Sequence, residues 1–544
     1  MRIQFQEGVN FRETTYREAQ TLIRNLPPSH PCGAPGGWDG AWYNELYVWN
    51  DWHTSEGMRH KASGVHPSNR CKLHVDVANK YFATRSSNKE ISRSKRASAK
   101  TVLQPETNRG KASRRKSRRN MASAGPLADP YTLPCGLTLP NRLVKAALAE
   151  GLASSDLNPN DKHATLYGEW AHGGWGAVVT GNVQVDDKHL GTLGDVTSLT
   201  SNQSQEEQKL KQWTKWAQDC QSQGTPTLVQ IVHPGRQASR LSRKEAALAP
   251  SAIPLNLGEG IVKNIVRSIV FGAPKEMTAA DIETVVGQFQ RAAQLSHQAG
   301  FKGVELHAAH GYLLAQFLSP LSNTRQDAWG GTPAKRAKIV CDVVEAIRQV
   351  VPKEFAVGIK INSADHQQEN GLADCLEQVQ LITQGGGVDF LEISGGTYEN
   401  PRMVSDDWEA ANEGAESQEV EVEPRAGELK ATERTAKREA FFLEYAHQVR
   451  EKFPDLPLMV TGGFRTRSGM RAALEDGGCD LVGLGRPSIP FPRLPVEIIL
   501  NEKVSDDKAA TPLDQIKIPW LVKATGIKPL TAGLVSVSPS SPYP

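Results

Sequence analysis

Short β-branched runs alternate with longer amphipathic stretches through most of the chain, and this alternation constrains the fold more than any other feature. There are eight such runs, at Leu143–Leu148, Ala177–Val183, Thr227–His233, Gly303–His307, Phe355–Asn362, Val388–Ser394, Leu458–Thr461 and Leu481–Gly485. Strands that are separated by helices pair in parallel through right-handed crossovers. The pattern therefore predicts an α/β fold around a parallel sheet.

The amphipathic stretches between the runs have the periodicity of helices. They are Gln205–Gln223, Ala279–Ala299, Pro333–Val351, Ala373–Gln384, Thr435–Lys452 and Ser468–Asp476. Thr278 with Asp281 three positions later has the pattern of a capping box, and Thr332 precedes a proline at the first helical position. Gly300 follows an apolar turn, as a helix-terminating glycine does.

Eight strands can close into a barrel or remain an open, doubly wound sheet. No GxGxxG motif lies between the first run and a helix, which disfavours the open sheet. We therefore predict a (β/α)8 TIM barrel over residues 125–500, followed by a C-terminal tail at residues 501–544.

The first 120 residues differ physically from the rest. They hold 22 Lys and Arg against 10 Asp and Glu, whereas the remainder holds 41 against 50. Between residues 85 and 120, thirteen basic residues stand against two acidic ones, a composition too polar to offset chain entropy. We interpret residues 1–120 as a largely disordered basic extension. An alternative explanation is that translation starts at Met121 and that these residues do not belong to the protein. A nucleic-acid-binding arm and a solvated linker are the alternatives.

Cysteine usage and hydropathy exclude other classes of protein. The seven cysteines are odd in number, scattered and never in a CxxC pair, so neither a disulfide scaffold nor a thiolate zinc site is expected. No run of eighteen apolar residues exists, and the N-terminus lacks the apolar segment of a secretory signal. We therefore expect a cytoplasmic protein with no membrane partner.

Barrel enzymes place their active groups at the C-terminal ends of the strands, so polar residues there are the candidates for chemistry. In HAAHGY, three donors, His307, His310 and Tyr312, can converge on one small volume. A zinc site would need a third ligand, and Glu305 is expected on the other face of its strand, so no metal is predicted. Histidines that only cap a helix are the simpler alternative.

Glycines end the seventh and eighth runs, in VTGGFRT and LVGLGRP. This is where such barrels bind a phosphate through backbone N–H groups, and an adjacent arginine would add a charge-assisted contact. Glycines that relieve crowding at barrel corners, with no ligand, are the alternative.

A long block, GFKGVELHAAHGYLLAQFLSPLSNTRQDAWGGTPAKRAKIV, resembles the signature stretch of the Old Yellow Enzyme family, the FMN-dependent ene-reductases. Shorter segments resemble the family's other blocks in the same order, namely NRLVKAAL, GGWGAVVTGNVQV, VQIVHPGRQ, GIKINSAD, FLEISGG, VTGGFRT and DLVGLGRP. The resemblance extends from Pro130 to about Pro495.

The resemblance implies roles for particular residues. Those implied to hold FMN are Gln230 at the pyrimidine edge, Lys360 beside N1 and O2, Gly181 near the ring, and Gly463, Gly485 and Arg486 at the phosphate. His307 and His310 would grip the carbonyl or nitro oxygen of a substrate, and Tyr312 would donate a proton. Four further residues of the long block are expected to have a structural role, since an Arg–Asp pair after a strand commonly braces a loop; they are Asn323, Arg325, Asp327 and Arg336.

The implied activity is reduction of the C=C bond of an α,β-unsaturated carbonyl compound by FMN and NAD(P)H, with hydride from flavin N5 to Cβ and a proton from Tyr312 to Cα. The expected partner is a small enone-type molecule, and monomer and homo-oligomer both stay open. A specialised or weakly active biosynthetic flavoprotein of the same family is the alternative.

Two features depart from the family pattern. Ala149 stands where the family usually has Thr or Cys, whose side chain hydrogen-bonds flavin O4, so we expect an altered flavin potential that Ala149→Thr would raise. The second departure is the stretch at about residues 409–433, which holds eight glutamates and two basic residues. We interpret it as a solvated, disordered insertion at the active-site face rather than a lid.

Overall fold

Eight parallel strands close into a barrel in the computed structural model. They are β1 (Leu143–Lys145), β2 (Ala177–Val179), β3 (Thr227–Val232), β4 (Gly303–Ala308), β5 (Ala356–Asn362), β6 (Phe390–Ser394), β7 (Leu458–Thr461) and β8 (Leu481–Leu484). Each strand pairs with the next along the chain, and β8 pairs with β1 to close the ring. The predicted (β/α)8 TIM barrel is confirmed.

The structure describes residues 124–199, 205–258, 260–363, 371–396, 399 and 433–511. The basic extension at residues 1–120, the acidic stretch before residue 433 and the tail after residue 511 lie outside the described residues. The expectations about those three segments therefore stay predictions.

Helices surround the barrel. In chain order they are α1 (Asp161–Ala171), α2 (Glu206–Cys220), α3 (Ile261–Val270), α4 (Ala279–Ala299), α5 (Leu313–Leu318), α6 (Pro333–Arg348), α7 (Gly371–Thr383), α8 (Glu433–Lys452) and α9 (Arg467–Glu475). The six predicted helices are present with ends within a few residues. The helix α1 was not predicted, although His163, Tyr167 and Trp170 form its buried face at helical spacing.

Local signals at the helix ends are confirmed. Thr278 caps α4, its side chain accepting from the Asp281 amide while the Asp281 carboxylate accepts from the Thr278 amide. Thr332 accepts from the Lys335 amide at the start of α6. Gly300 ends α4 with φ of 97°, a conformation that favours glycine.

The barrel interior changes character from one end to the other. Near the N-terminal ends of the strands it is apolar, and a short antiparallel pair, Tyr131–Thr132 with Thr138–Leu139, packs its Leu133 and Leu139 side chains there. Near the C-terminal ends the buried side chains are Gln230, Glu305, His307, Lys360 and Glu392. Buried polar groups at that end point to a functional site.

The loop after α5 is braced by the residues that the sequence indicated. Arg325 contacts the Asp327 carboxylate and donates to the carbonyls of Pro250 and Met277. Asn323 donates to the carbonyls of Phe317 and Trp329. Among the described residues, none of the helices is long and apolar enough to cross a membrane.

We predict that Lys145→Met makes stability less dependent on pH. Lys145 Nζ donates to Val179 O at 2.9 Å and lies 4.0 Å from the centroid of the Trp170 ring. Burial lowers the pKa of this ammonium from 10.5 to about 8. The folded protein therefore binds fewer protons here than the unfolded chain between pH 8 and 10.5, so this group makes the protein more stable as the pH rises through that range.

At pH 7 the substitution removes a buried charge and should raise the free energy of unfolding by roughly 1–3 kcal/mol. The lost hydrogen bond to Val179 O reduces this gain. Urea unfolding of both proteins at several pH values measures this. The difference between the two curves isolates Lys145, because Lys209, whose pKa burial lowers to about 8, is present in both. Parallel curves would contradict the prediction.

Candidate active site

A cleft opens at the C-terminal ends of the strands, beside β5, β7 and β8. Five of the residues expected at the site line it, namely His310, Lys360, Gly463, Gly485 and Arg486. Ala147 and Leu148 also line it, whereas the exposed Ala149 does not. The structure therefore brings together both ends of the expected cofactor site but does not place Ala149 in the cleft.

The rings of HAAHGY converge, as the spacing predicted. The His307 ring centroid lies 4.8 Å from that of His310 and 4.7 Å from that of Tyr312, each in an edge-on arrangement. His310 has φ of 57°, and Gly311 follows with φ of 75°. A left-handed conformation is unfavourable for histidine, so this turn holds its side chain in place at a local cost in energy.

Both histidines are held as neutral imidazoles. Burial, the His310 ring and the Lys360 charge lower the pKa of His307 well below its ordinary value, and burial and Lys360 do the same to the pKa of His310. His307 Nδ1 accepts from the Ala309 amide at 3.3 Å, which leaves its proton on Nε2. His310 Nε2 lies 3.1 Å from Ser394 Oγ.

Four polar side chains form a buried row across β3 to β6. Gln230 Nε2 donates to Glu305 Oε1 at 2.6 Å, and Lys360 Nζ lies 2.7 Å from Glu392 Oε1. The expectation that Glu305 faces away from His307 was wrong, because residues two apart on a strand share a face. Glu305 points into the barrel beside Gln230, its partner in the strand register.

The turn after β2 carries two contacts that the sequence did not reveal. Asn182 Nδ2 donates to Tyr312 Oη at 3.2 Å, and the Gly181 amide donates to Glu150 Oε1 at 2.9 Å. A Cβ on Gly181 would lie 2.3 Å from Leu148 O. Gly181 is therefore required by close packing, and the adjacent Asn182 fixes the Tyr312 hydroxyl.

The residues at the other end of the cleft fit the phosphate of FMN. Gly462 and Gly463 have φ of 152° and 75°. Residues with a side chain rarely adopt these backbone angles, so glycine is favoured in this turn. Gly485 and Arg486 face the same cleft. Backbone N–H groups next to a guanidinium suit a phosphate, and an amide and an ammonium at Gln230 and Lys360 suit the polar edge of a flavin.

A buried cluster of Asp186, His189 and His233 has the residue types of a metal site, with ligand atoms within 4.8 Å of one another. The hydrogen bonds argue against a metal. His233 Nδ1 accepts from the Gly235 amide at 3.0 Å, so its Nε2 carries the proton. Both nitrogens of His189 face oxygens, Asp186 Oδ2 at 2.5 Å and Ala246 O at 2.9 Å. We interpret the cluster as a hydrogen-bonded brace, because a ring nitrogen that carries a proton or already faces an oxygen does not coordinate a metal.

This brace supports the active-site turn. The carbonyl of His233 accepts from the Leu313 amide at 3.0 Å, and Gln237 Nε2 donates to His310 O at 2.8 Å. The end of β3 therefore holds the segment that carries His310 and Tyr312.

The model of the NADH:flavin oxidoreductase / NADH oxidase family matches residues 126–503. The chain belongs to this family. Membership confirms the resemblance to the Old Yellow Enzyme family, and with it the expected cofactors, FMN and a nicotinamide nucleotide. The chain is thus an oxidoreductase of the NADH:flavin oxidoreductase family.

Curated relatives in the NADH:flavin oxidoreductase family agree with this. An NADH-dependent flavin oxidoreductase of Hypocrea jecorina is 42% identical over 75% of this chain and 98% of its own length. Another from Neonectria sp. is 44% identical over 73% of this chain, but the match spans only 51% of that protein. One from Talaromyces variabilis is 43% identical over 74% of this chain and 94% of its own.

Solved structures share the fold of this NADH:flavin oxidoreductase family member. A 2-naphthoyl-CoA reductase complex is 22% identical with a TM-score of 0.58, covering 71% of this chain and 54% of the other. Morphinone reductase in complex with tetrahydroNAD is 21% identical with a TM-score of 0.53, covering 72% and 99%. An old yellow enzyme homologue from Zymomonas mobilis is 19% identical with a TM-score of 0.53, covering 71% and 99%.

Proposed function

We propose that this chain is an NAD(P)H-dependent ene-reductase, which reduces the C=C bond of an α,β-unsaturated carbonyl compound. The observation that supports this best is the cluster of two neutral imidazoles and one phenol at the mouth of the barrel, next to a cleft suited to FMN. A small enone is the substrate class that this donor set fits. The cytoplasmic location stays a prediction.

Cofactor binding would be divided between the two ends of the cleft. Gly463, Gly485 and Arg486 would hold the phosphate, and Gln230 and Lys360 would contact the pyrimidine edge of the ring. Bound FMN supplies hydride transfer from the nicotinamide to the alkene. Gly181, close to Leu148 of the cleft wall, would leave room for the ring.

The histidines bind the substrate oxygen. As neutral rings, His307 and His310 can each donate one N–H to a carbonyl oxygen, and negative charge that develops on that oxygen meets these fixed donors. Loss of one such donor typically raises the barrier by about 2.7–4 kcal/mol.

Tyr312 supplies the proton to the α-carbon. The Asn182 amide donates to Tyr312 Oη at 3.2 Å, so the phenolic oxygen is an acceptor in that bond and its position is fixed from the β2 side. The Tyr312 ring packs edge-on against His307, so the donor and the oxygen-binding group are held at a fixed spacing.

We predict that replacing both His307 and His310 by alanine weakens the binding of a phenol, which imitates the oxygen of an enone. The Kd for the phenol is expected to rise about 100-fold or more, because two hydrogen-bond donors are removed. Absorbance titration of the FMN-loaded protein measures it. His297→Ala is a suitable control, since His297 lies on α4 against Phe355. Undiminished phenol binding in the double variant would refute the assignment of these two residues.

The proposed reaction is tested by the absorption spectrum of the purified protein, followed by NADH and NADPH oxidation with an activated alkene under anaerobic conditions. A flavin spectrum and alkene-dependent oxidation are expected, with the saturated product identified by mass. Bound FMN without alkene-dependent turnover would favour a specialised flavoprotein instead. A protein that does not bind FMN would overturn the proposal.

A further inference from the structure

The ammonium of Lys360 has an anionic partner inside the barrel. Its Nζ lies 2.7 Å from Glu392 Oε1, and the two side chains are 3% and 0% exposed. Lys360 and Glu392 stand opposite each other in the register of β5 and β6. Side chains at directly opposite positions face the same interior, so the pairing follows from the sheet itself.

A second carboxyl group, Glu305, lies next to this pair, and the two carboxyls differ in charge. Burial and the neighbouring Glu392 raise the pKa of Glu305 well above its ordinary value. Burial also disfavours the ionised form of Glu392, but the charge of Lys360 lowers the pKa of Glu392 below its ordinary value. The group therefore holds one proton on Glu305, one negative charge on Glu392 and one positive charge on Lys360.

The ion pair shows that Lys360 would not act on the flavin as an uncompensated cation. A positive charge next to N1 and O2 stabilises negative charge on the ring, and a carboxylate in contact with that cation opposes the effect. The opposing charge is fully buried, so solvent does not screen it.

We propose that Glu392 is the counter-ion of Lys360 and a positioning residue that limits how strongly this cation stabilises negative charge on the bound flavin. The inference rests on the proposed flavin site. It assigns to Glu392, which does not line the cleft, control over the electron affinity of the cofactor.

Sulfite provides a direct test, because it adds through its sulfur lone pair to N5 of oxidised flavin and leaves negative charge at the N1–O2 edge. Glu392→Gln should tighten sulfite binding by at least about tenfold, since a buried unit charge acting over several ångströms changes an equilibrium by that order. The flavin midpoint potential should rise in the same variant. Neither measurement depends on turnover.

Glu305→Gln is the matched control. It makes the same chemical change on β4, which flanks β5 on the side away from Glu392, but it replaces a carboxyl whose raised pKa keeps it neutral, so sulfite affinity should change by less than about twofold. In the double variant Glu392→Gln with Lys360→Met, the tightening should be lost, because the cation that Glu392 opposes is gone.

The outcomes separate the two proposals. If the wild-type protein binds no FMN, the proposed function fails first. If it binds FMN and sulfite affinity is unchanged in Glu392→Gln, or rises equally in Glu305→Gln, the counter-ion assignment is wrong. Should Glu392→Gln not fold, Glu392→Asp gives the same test. The expected rise in sulfite affinity is then smaller, because the shorter side chain only moves the carboxylate away from Lys360 by one methylene.

Discussion

Tyr312→Phe should slow reduction of the alkene by roughly two to four orders of magnitude, the usual contribution of a positioned proton donor. Reduction of FMN by NAD(P)H should be nearly unchanged, because that step needs no proton from this side chain. The ring remains, so its edge-on packing against His307 is kept and only the hydroxyl is lost.

Stopped-flow absorbance of the flavin measures the two half-reactions separately. Tyr445→Phe is a matched control, because it removes a phenolic hydroxyl that lies 2.7 Å from Cys375 Sγ, away from the cleft. Asn182→Leu should slow only the alkene step, by a smaller factor, since it removes the bond that orients Tyr312 Oη. Equal slowing of both half-reactions by Tyr312→Phe would reject the proton-donor role.

The barrel could be predicted because its strands are buried on both sides and read as short continuous apolar runs. Of the helices that the structure describes, α1, α3 and α5 were not predicted, and the patterns of α1 and α3 show why. The buried face of α1 includes a histidine, and the rest of this short helix holds a glycine and several polar residues, which hides its period. In α3 the isoleucines Ile261, Ile265 and Ile269 have helical spacing but are 79%, 52% and 67% exposed, so the apolar pattern does not mark a core-facing side.

At the site, the sequence indicated which polar residues lie at the strand ends, but it did not indicate which side chains they contact. His307, His310 and Tyr312 lie within six residues of one another, so local spacing was enough to predict their convergence. The Lys360–Glu392 and Asn182–Tyr312 contacts join distant segments, and only the strand register and the closure of the barrel bring them together. Glu305 could have been assigned correctly from the period of two along β4.

The second large effect concerns stability. Arg467→Met should lower the free energy of unfolding by roughly 3–5 kcal/mol, the usual cost of removing one partner from a buried charged network. The Arg467 side chain is fully buried at the first position of α9. Its guanidinium donates to the carbonyls of Ile498, Ile499, Asn501 and Val504 and to the Asp506 carboxylate, at 2.6–3.0 Å.

Methionine fills similar volume but leaves four carbonyls without this donor, and the segment that carries them loses these contacts with α9. Urea unfolding followed by tryptophan fluorescence measures the change. Arg471→Met, one turn along α9, removes partly exposed contacts with Asp506 and Glu475 and should cost less than about 1 kcal/mol. Equal losses in both variants would contradict the assigned role of Arg467.

The same substitution should also weaken FMN binding, because α9 begins only four residues after Gly463. If the start of the helix shifts, the glycine turn that would hold the phosphate shifts with it. We therefore expect Arg467→Met to retain less flavin than Arg471→Met after dialysis at temperatures where both remain folded. Equal retention would show that the glycine turn is held by the barrel strands alone, with no support from the C-terminal segment.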